Sequence, residues 1–299
     1  MKNVIIDTDP GHDDAMALML AARSEELNIL AVTTAAGNST IENTTRNARH
    51  IIGLLDRSIP VHSGAEKPLK RGPHDAEFIH GATGLAGIDP QNEPKLTGDA
   101  VDTILDTLRR EEDVTIITLG PLTNIARALE RDAETVMRAK DIIMMGGAVE
   151  ERGNVTPDAE FNIHADPEAA DKVFKSDLKK TLVTLDACNH VKLHLKDFRQ
   201  VKGKLQEPLL KMAAESIERT YRHQGEKVTF MYDPLTVYAL LKPEHCITEE
   251  RNITIDTTDE GRGATRTRQG EPNTTIVKSI DSGKFTDFFI RTLSQSQNF

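Results

Sequence analysis

The chain has 299 residues, a formal net charge of −10 and two cysteines. The acidic balance argues against a nucleic-acid partner, which requires a basic face, and two cysteines are too few for a disulfide framework or a cysteine zinc site. Because the longest uninterrupted apolar stretch, residues 15–22, is far too short to span a membrane and the first residues lack a signal-peptide pattern, we expect a globular cytoplasmic protein without a membrane partner.

Short β-branched runs alternate with longer helical patterns along the first two thirds of the chain, which is typical of βαβ units and a parallel sheet. The predicted strands are residues 4–6, 28–33, 59–62, 114–119, 141–145 and 181–185. The predicted helices are residues 12–22, 40–55, 99–110, 123–131 and 167–174. Pro10 opens the first helix, and Ser39 is expected to cap the second.

Residues 66–98 interrupt this alternation with a stretch rich in glycine, proline, histidine and charge. A loop of this length inside a compact enzyme usually has a function, so we expect a lid over a site.

The C-terminal third has a different pattern. Helices are predicted at residues 205–223 and 233–241, antiparallel strands at 252–256, 263–267 and 274–278, and a closing helix at 285–293. No convincing linker divides the chain. We therefore expect one domain over residues 1–299 with an α/β fold, an open and mainly parallel sheet flanked by helices, and a small C-terminal α+β extension.

The most informative segment runs from Asp7 to Asp14, where a strand ends and a helix begins. It places four carboxylates within eight residues, at the end of a parallel sheet where ligands bind. Mutual repulsion of four converging carboxylates is relieved by a hard divalent cation, and oxygen ligands indicate calcium or magnesium rather than zinc. The simpler alternative is that Asp9 caps the helix while Asp13 and Asp14 lie on its first turn.

Three further polar segments stand at element ends. They are residues 119–124, residues 154–162 and the triplet Tyr232-Asp233-Pro234. The first offers backbone carbonyls at the same sheet edge, the second offers amides and acids suited to sugar hydroxyls, and the third places an acid at a helix start. Taken singly, each also has a purely structural interpretation, as a turn capped by Thr123, a polar loop and a helix cap at Asp233.

Together these four segments resemble the inosine–uridine preferring nucleoside hydrolase family. Its signature is Asp-Thr-Asp-Pro-Gly-x-Asp-Asp-Ala at residues 7–15, followed in the family's order by Gly-Pro-Leu-Thr-Asn-Ile-Ala at 120–126, Met-Gly-Gly-Ala at 145–148 and Glu-Phe-Asn-x-x-x-Asp-Pro-Glu-Ala-Ala at 160–170. The resemblance runs nearly end to end. It implies an open α/β fold, one bound calcium ion, and hydrolysis of the N-glycosidic bond of ribonucleosides to ribose and a free purine or pyrimidine base.

The resemblance also implies a role for each matching residue. The calcium ligands are expected to be Asp9, Asp14, Asp233 and the backbone carbonyl of Leu119, with Asp7 orienting them. Asp13 is expected to be the general base that takes a proton from calcium-bound water as an oxocarbenium-like transition state forms. The expected substrate contacts are Asn38, Asn154, Glu160 and Asn162 to the ribose, and His80 near the base.

One position departs from the family's pattern. Many members have a histidine just before the late calcium-binding aspartate, where it is thought to protonate the leaving base, and this chain has Tyr232. A tyrosine hydroxyl is the weaker acid, with a reference pKa of ~10 against ~6.5 for histidine. The candidates for contact with the leaving base are Tyr232, Tyr221, His223, Gln224 and His80, so the preferred base stays open.

Several expectations follow from this combination. The acidic cluster suits free nucleosides better than nucleotides, and the family implies a homodimer or homotetramer that works in nucleoside salvage and catabolism. Two alternatives remain: a calcium-dependent nucleoside- or ribose-binding protein without turnover, and a phosphatase like the haloacid dehalogenases, in which the first aspartate of Asp7-Thr8-Asp9 is the nucleophile.

Overall fold

The computed structural model describes residues 1–72, 84–85, 87–88, 90 and 95–294. Most of the expected lid, including His80, lies outside the described residues. Within those residues, no helix combines the length and the apolar character that a bilayer crossing requires.

Strands and helices alternate much as predicted. The strands are β1 (Lys2–Thr8), β2 (Leu27–Thr34), β3 (Val61–Ser63), β4 (Val114–Thr118), β5 (Asp141–Met145), β6 (Lys180–Val183), β7 (Lys192–Leu193), β8 (Thr229–Phe230), β9 (Cys246–Ile255), β10 (Thr265–Arg268) and β11 (Thr274–Ile280). The helices are α1 (His12–Arg23), α2 (Ile41–Leu54), α3 (Ala100–Arg110), α4 (Thr123–Val136), α5 (Phe161–Ala165), α6 (Pro167–Lys175), α7 (Leu185–Cys188), α8 (Leu195–Phe198), α9 (Gln206–Gln224), α10 (Asp233–Leu241) and α11 (Ser282–Ser294).

Within the described residues, nine strands form the main sheet in the order β10-β9-β11-β6-β5-β4-β1-β2-β3. The seven strands from β11 to β3 run parallel, and β9 and β10 are antiparallel to their neighbours. The chain builds outward from β1 to β3 and then returns to the other side of β1 with β4. In such a sheet, ligands bind at the carboxyl ends of the strands where the order reverses, which here means β1 and β4.

The side-chain alternation of β1 divides the core into two layers. Val4 and Ile6 point to the face covered by α1, α2, α10 and α11, whereas Ile5 points to the face covered by α3, α4 and α6. Helix α1 is buried on almost all sides, which explains why residues 15–22 form the longest apolar stretch of the sequence. A helix buried on both sides holds its N-terminus firmly at the sheet edge.

The C-terminal strands pair as predicted and extend the main sheet. β9 pairs antiparallel with both β10 and β11, and β11 joins β6 in parallel, so the extension continues the central sheet. β9 begins at Cys246, earlier than the predicted residue 252. The very short elements α5, α7, α8, β7 and β8 were not predicted, because segments of two to five residues are too short to show a periodicity.

The predicted cap of α2 was wrong. Thr40, and not Ser39, is the N-cap residue, because its hydroxyl accepts the backbone N–H of Asn43. A capping oxygen must reach the N–H two or three residues further on, and Thr40 stands at that spacing. The Ser39 hydroxyl instead accepts from the Asn43 side chain at 2.9 Å.

Candidate active site

Asp7 stands at the carboxyl end of β1 and is held by the neighbouring elements. Its Oδ1 accepts from the Thr33 hydroxyl of β2 at 2.5 Å and from the Asn124 amide of α4 at 2.7 Å. Burial raises the pKa of Asp7 to about 6 in spite of these donors. Asp7 is thus fixed beneath the sheet edge, and it does not line the cleft described below.

Asp14 lies in the first turn of α1 and accepts four hydrogen bonds. The donors are the Thr8 hydroxyl at 2.5 Å, the Gly11 N–H at 3.0 Å, the Asn38 side-chain amide at 3.0 Å and the Asp9 N–H at 3.2 Å. Burial and the nearby charge of Asp13 raise its pKa to about 6. The carboxylate is therefore held in one orientation by two backbone and two side-chain donors.

Asp9 is fully buried between two glycines. One carboxylate oxygen, Oδ2, accepts the Asn38 N–H at 2.7 Å, whereas Oδ1 has no hydrogen-bond partner among the described residues. A Cβ built on Gly37 would lie 2.1 Å from Oδ2, and one on Gly120 would lie 2.2 Å from Oδ1, so the space requires glycine at both positions. Because the N-cap of α1 is Gly11, the alternative in which Asp9 caps this helix is wrong.

Asp233 brings a further carboxylate to this cluster from the first residue of α10. Asp13, Asp14 and Asp233 each contribute one oxygen, and these three oxygens lie within 4.8 Å of one another. Burial, followed by the charges of Asp14 and Asp13, raises the pKa of Asp233 well above its usual value. None of the three forms an ion pair with a cationic side chain in the described part of the chain.

This donor set fits a hard divalent cation. Converging carboxylate oxygens without a cationic partner, together with the buried and unpartnered Oδ1 of Asp9, are the groups that such an ion satisfies. Of the expected ligands, Asp14 and Asp233 lie in the three-carboxylate cluster, and Asp13 lies there with them. The carbonyl of Leu119, the fourth expected ligand, accepts the side-chain amide of Asn162 at 2.8 Å.

A cleft of about 540 Å³ opens above these carboxylates. Its walls include ten of the residues that the sequence singles out: Asp13, Asn38, Leu119, Asn154, Glu160, Asn162, His223, Gln224, Tyr232 and Asp233. Asp9 and Asp14 lie below the lining, and Tyr221 does not line the cleft either. Tyr221 is 46% exposed, and the Lys227 ammonium lies 5.1 Å from its ring centroid.

Glu160 and Asn162 close one wall of the cleft from either side of the start of α5. The Glu160 carboxylate accepts the backbone N–H groups of Asn162 at 2.8 Å, Gly147 at 3.0 Å and Ile163 at 3.2 Å. Burial raises its pKa to about 7 against these donors. Asn154 ties the same segment together, because its Oδ1 accepts the Phe161 N–H at 2.9 Å.

Aromatic and further polar side chains also line the cleft. Tyr232 stacks on Phe230 with ring centroids 6.0 Å apart and planes inclined by 22°. Burial raises the pKa of the Tyr232 hydroxyl above its usual range. Sequence reasoning missed several lining residues here: Met16, Val155, Phe161, Ser216, Arg219, Thr220, Thr229 and Phe230.

The helical spacing of Ser216, Arg219, Thr220 and His223 is the signal that marks this face of α9. Spacing alone does not say which face of an amphipathic helix meets a cleft, so the tertiary structure was needed to select it.

Comparison with known proteins gives concordant matches. A family model described as inosine–uridine preferring nucleoside hydrolase matches residues 4–287. The pyrimidine-specific ribonucleoside hydrolase RihA of Salmonella gallinarum is 39% identical over 306 residues, with 97% of each chain covered. These matches favour neither a phosphatase nor a binding protein without turnover.

Two solved structures share the fold over almost the whole chain. A plant nucleoside hydrolase, PpNRh1, has a TM-score of 0.93 at 29% identity with 99% of both chains covered. A purine-preferring ribonucleoside hydrolase from Gardnerella vaginalis has a TM-score of 0.92 at 28% identity with 98% of both chains covered.

Proposed function

Because the chain belongs to the inosine–uridine preferring nucleoside hydrolase family and is an N-glycosyl hydrolase of ribonucleosides, we propose that its cleft binds a nucleoside with the ribose over the carboxylates and the base towards Phe230 and Tyr232. The observation that carries this orientation is the meeting of the Asp13, Asp14 and Asp233 oxygens, two of whose residues, Asp13 and Asp233, line the cleft. Negative charge there suits the cationic ribosyl group that forms as the glycosidic bond breaks.

The metal of this site is proposed to be calcium. Asp9, Asp14, Asp233 and the Leu119 carbonyl are its proposed ligands, supported by the unpartnered Asp9 Oδ1 and by a donor set made entirely of oxygen. When bound, the ion neutralises the buried carboxylates and lowers the pKa of water. Thr8, Asn38 and the backbone N–H of Gly11 hold Asp14 in place for this purpose, and Thr33 and Asn124 hold Asp7.

Asp13 is the proposed general base. It is partly exposed and lines the cleft, whereas Asp7, Asp9 and Asp14 are buried below it. A carboxylate on the cleft wall can accept the proton of an attacking water molecule while its neighbours hold a fixed charge.

Ribose recognition is assigned to Asn38, Asn154, Glu160 and Asn162. All four line the cleft, and their amide and carboxylate groups suit the hydroxyls of a sugar. Fixing the sugar in one orientation lowers the entropic part of the activation barrier, which raises the rate. The same acidic lining disfavours a phosphate group, so free nucleosides are the proposed substrates rather than nucleotides.

The base is proposed to lie against the Phe230–Tyr232 stack, with Tyr232, His223 and Gln224 within the same cleft as candidates for contact with the leaving group. His80 remains a candidate from the sequence motif alone. The family relationship also supports one domain over residues 1–299, a homodimer or homotetramer, a cytoplasmic location and a role in nucleoside salvage, each of which is a proposal.

A panel assay tests the proposed function. The purified protein is incubated with inosine, adenosine, guanosine, uridine and cytidine in calcium and in chelator, and free base is measured by chromatography. We expect release from at least one nucleoside, lost in chelator and restored by calcium. Release that persists in chelator after exhaustive dialysis would contradict the metal assignment.

The ligand assignment has its own test. Calcium titration of Asp233→Ala by calorimetry is expected to show weaker binding than the parent protein, and calcium should no longer raise the melting temperature. Asp102→Ala is the matched control, because Asp102 is an exposed carboxylate paired with Arg131 and lies outside the cleft lining. An unchanged titration for Asp233→Ala would remove it from the ligand set.

A further inference from the structure

Asp186 holds a turn of backbone beside the cleft without lining the cleft itself. It lies in α7, just after β6, and is 7% exposed. Its carboxylate accepts three consecutive backbone N–H groups, from Glu150 at 2.6 Å, Val149 at 3.0 Å and Glu151 at 3.1 Å. One side chain thereby satisfies three successive donors of a loop that has no regular secondary structure.

The held turn begins the loop that forms part of the cleft wall. This wall loop, residues 149–160, leads from β5 to α5 and carries Asn154 and Val155, both of which line the cleft. At the end of the loop, Glu160 accepts the Gly147 N–H at 3.0 Å. This bond ties the end of the loop back to the segment just after β5. Two backbone bonds, from Gly153 to Pro157 and from Val155 to Ala159, keep it compact in between.

The other contacts of this turn are weaker than its hydrogen bonds to the Asp186 carboxylate. The Glu150 side chain pairs with Lys278 at 2.8 Å and with Arg251 at 3.7 Å, and the Glu151 side chain pairs with His190 at 3.6 Å, but these pairs are open to solvent. Exposed ion pairs stabilise little, whereas hydrogen bonds from backbone N–H to a buried charged carboxylate are among the strong ones. Asp186 is therefore the main anchor of the turn among the described residues.

Electrostatics agrees with this role. Burial raises the pKa of Asp186, but hydrogen bonds from the Val149, Glu150 and Glu151 N–H groups and from the Thr184 side chain together leave the pKa below its usual value. The group is therefore a carboxylate at neutral pH, and its bonds to the loop are charge-assisted.

We propose that Asp186 is a positioning residue for ribose binding, which acts by holding residues 149–151 so that Asn154 and Val155 stay in the cleft wall. The proposal rests on the proposed function, in which Asn154 contacts the ribose. Asp186 does not touch the substrate in this arrangement. Its loss should therefore weaken nucleoside binding more than it slows the chemical step.

The test compares Asp186→Asn with the parent protein on the best nucleoside of the panel. The neutral amide keeps an acceptor oxygen but loses the charge, so we expect KM and the inhibition constant of D-ribose each to rise about fivefold, with kcat within about twofold. Amide hydrogen exchange of residues 149–155 should become faster. Asp197→Asn is the matched control, because Asp197 also accepts a backbone N–H, from His194 at 2.8 Å, but lies outside the cleft lining.

A double variant separates this inference from the proposed function. If Asp186 acts through Asn154, then Asp186→Asn should add little to the KM of Asn154→Ala, because the two changes remove the same contact. An elevated KM for Asn154→Ala with a normal KM for Asp186→Asn would overturn the positioning role alone. A normal KM for Asn154→Ala would overturn the ribose contact in the proposed function, and the positioning role with it.

A conservative variant keeps the test decisive if Asp186→Asn does not fold. Asp186→Glu retains the charge but displaces the carboxylate by one methylene, and we expect an intermediate rise in KM with faster exchange of the same amides. A lowered melting temperature with unchanged KM, ribose inhibition and loop exchange would show a purely structural role and overturn the proposal.

Discussion

Asp13 and Asp14 are consecutive residues of α1, yet Asp13 lines the cleft while the Asp14 carboxylate is buried and accepts four hydrogen bonds. Successive residues of a helix point about 100° apart, so one carboxylate faces the cleft and its neighbour faces the core. This difference supports the proposed roles of the two side chains, a metal ligand at Asp14 and an accessible base at Asp13.

The accessible carboxylate is expected to carry the proton transfer. Asp13→Asn should lower kcat by roughly 10²–10⁴-fold, the usual contribution of a general base, while ribose inhibition and calcium-induced stabilisation remain. Steady-state kinetics with thermal melts in calcium measure both effects. Asp102→Asn, on an exposed surface of α3, should leave kcat unchanged. Near-normal turnover of Asp13→Asn would remove Asp13 from this role.

The glycines around Asp9 allow a test in which no carboxylate side chain is removed. Gly120→Ala puts a Cβ 2.2 Å from Asp9 Oδ1, so Asp9 must move and calcium affinity should fall by roughly 10- to 100-fold, as for other disturbed supports of metal ligands. Gly53→Ala is the control, because no atom lies within 4 Å of the added Cβ in α2. That change should stabilise the protein by about 0.5–1 kcal/mol without affecting calcium. Equal calcium affinity in both variants would contradict a role for Asp9.

Tyr232 offers a test of leaving-group contact. Tyr232→Phe keeps the stack on Phe230 and removes the hydroxyl alone. If the hydroxyl assists departure of the base, kcat/KM for the best nucleoside should fall by roughly 10²-fold, whereas p-nitrophenyl riboside, whose leaving group departs as a stable anion, should be much less affected. Parallel loss on both substrates would instead indicate a role in binding.

The raised pKa of Glu160 predicts that the stability of the protein depends on pH. Burial raises this pKa from 4.5 to about 7, so between these two pH values the folded state holds a proton that the unfolded state has released. The stabilisation from this group is fully present below pH 4.5 and is lost as the pH rises through about 7, a change on the order of 3 kcal/mol.

Urea unfolding in chelator between pH 4 and pH 8 measures this contribution. The free energy of unfolding of the parent protein relative to Glu160→Gln should decrease over that interval, because glutamine has no proton to release. A difference that is independent of pH, or that grows with pH, would show that Glu160 is not a buried acid with a raised pKa.

Much of the fold follows from local chemistry. β-Branched runs and helical periodicity predict the alternating strands and helices, since burial on both faces of a parallel sheet demands continuous apolar strands. The run from Asp7 to Asp14 predicts a metal site at the end of β1 because it places four carboxylates within eight residues of the chain. Of these, Asp13 and Asp14 lie in the three-carboxylate cluster, which is completed by Asp233 of α10. Very short elements such as α7 are not visible in the periodicity of the sequence. The choice of Thr40 over Ser39 as the cap of α2 depends on the local backbone geometry, which the periodicity does not define.

What the sequence by itself determined is the α/β alternation, the acidic motif and the family resemblance, because each is a property of neighbouring residues. The tertiary structure decided which of these residues meet. Asp233 reaches Asp14 only because α10 packs against α1, and His223 lines the cleft while Tyr221 does not because the rotation of α9 is set by its packing. The support of Asp186 for the wall loop is of the same kind, since hydrogen bonds between residues 35 to 37 positions apart leave no local pattern in the chain.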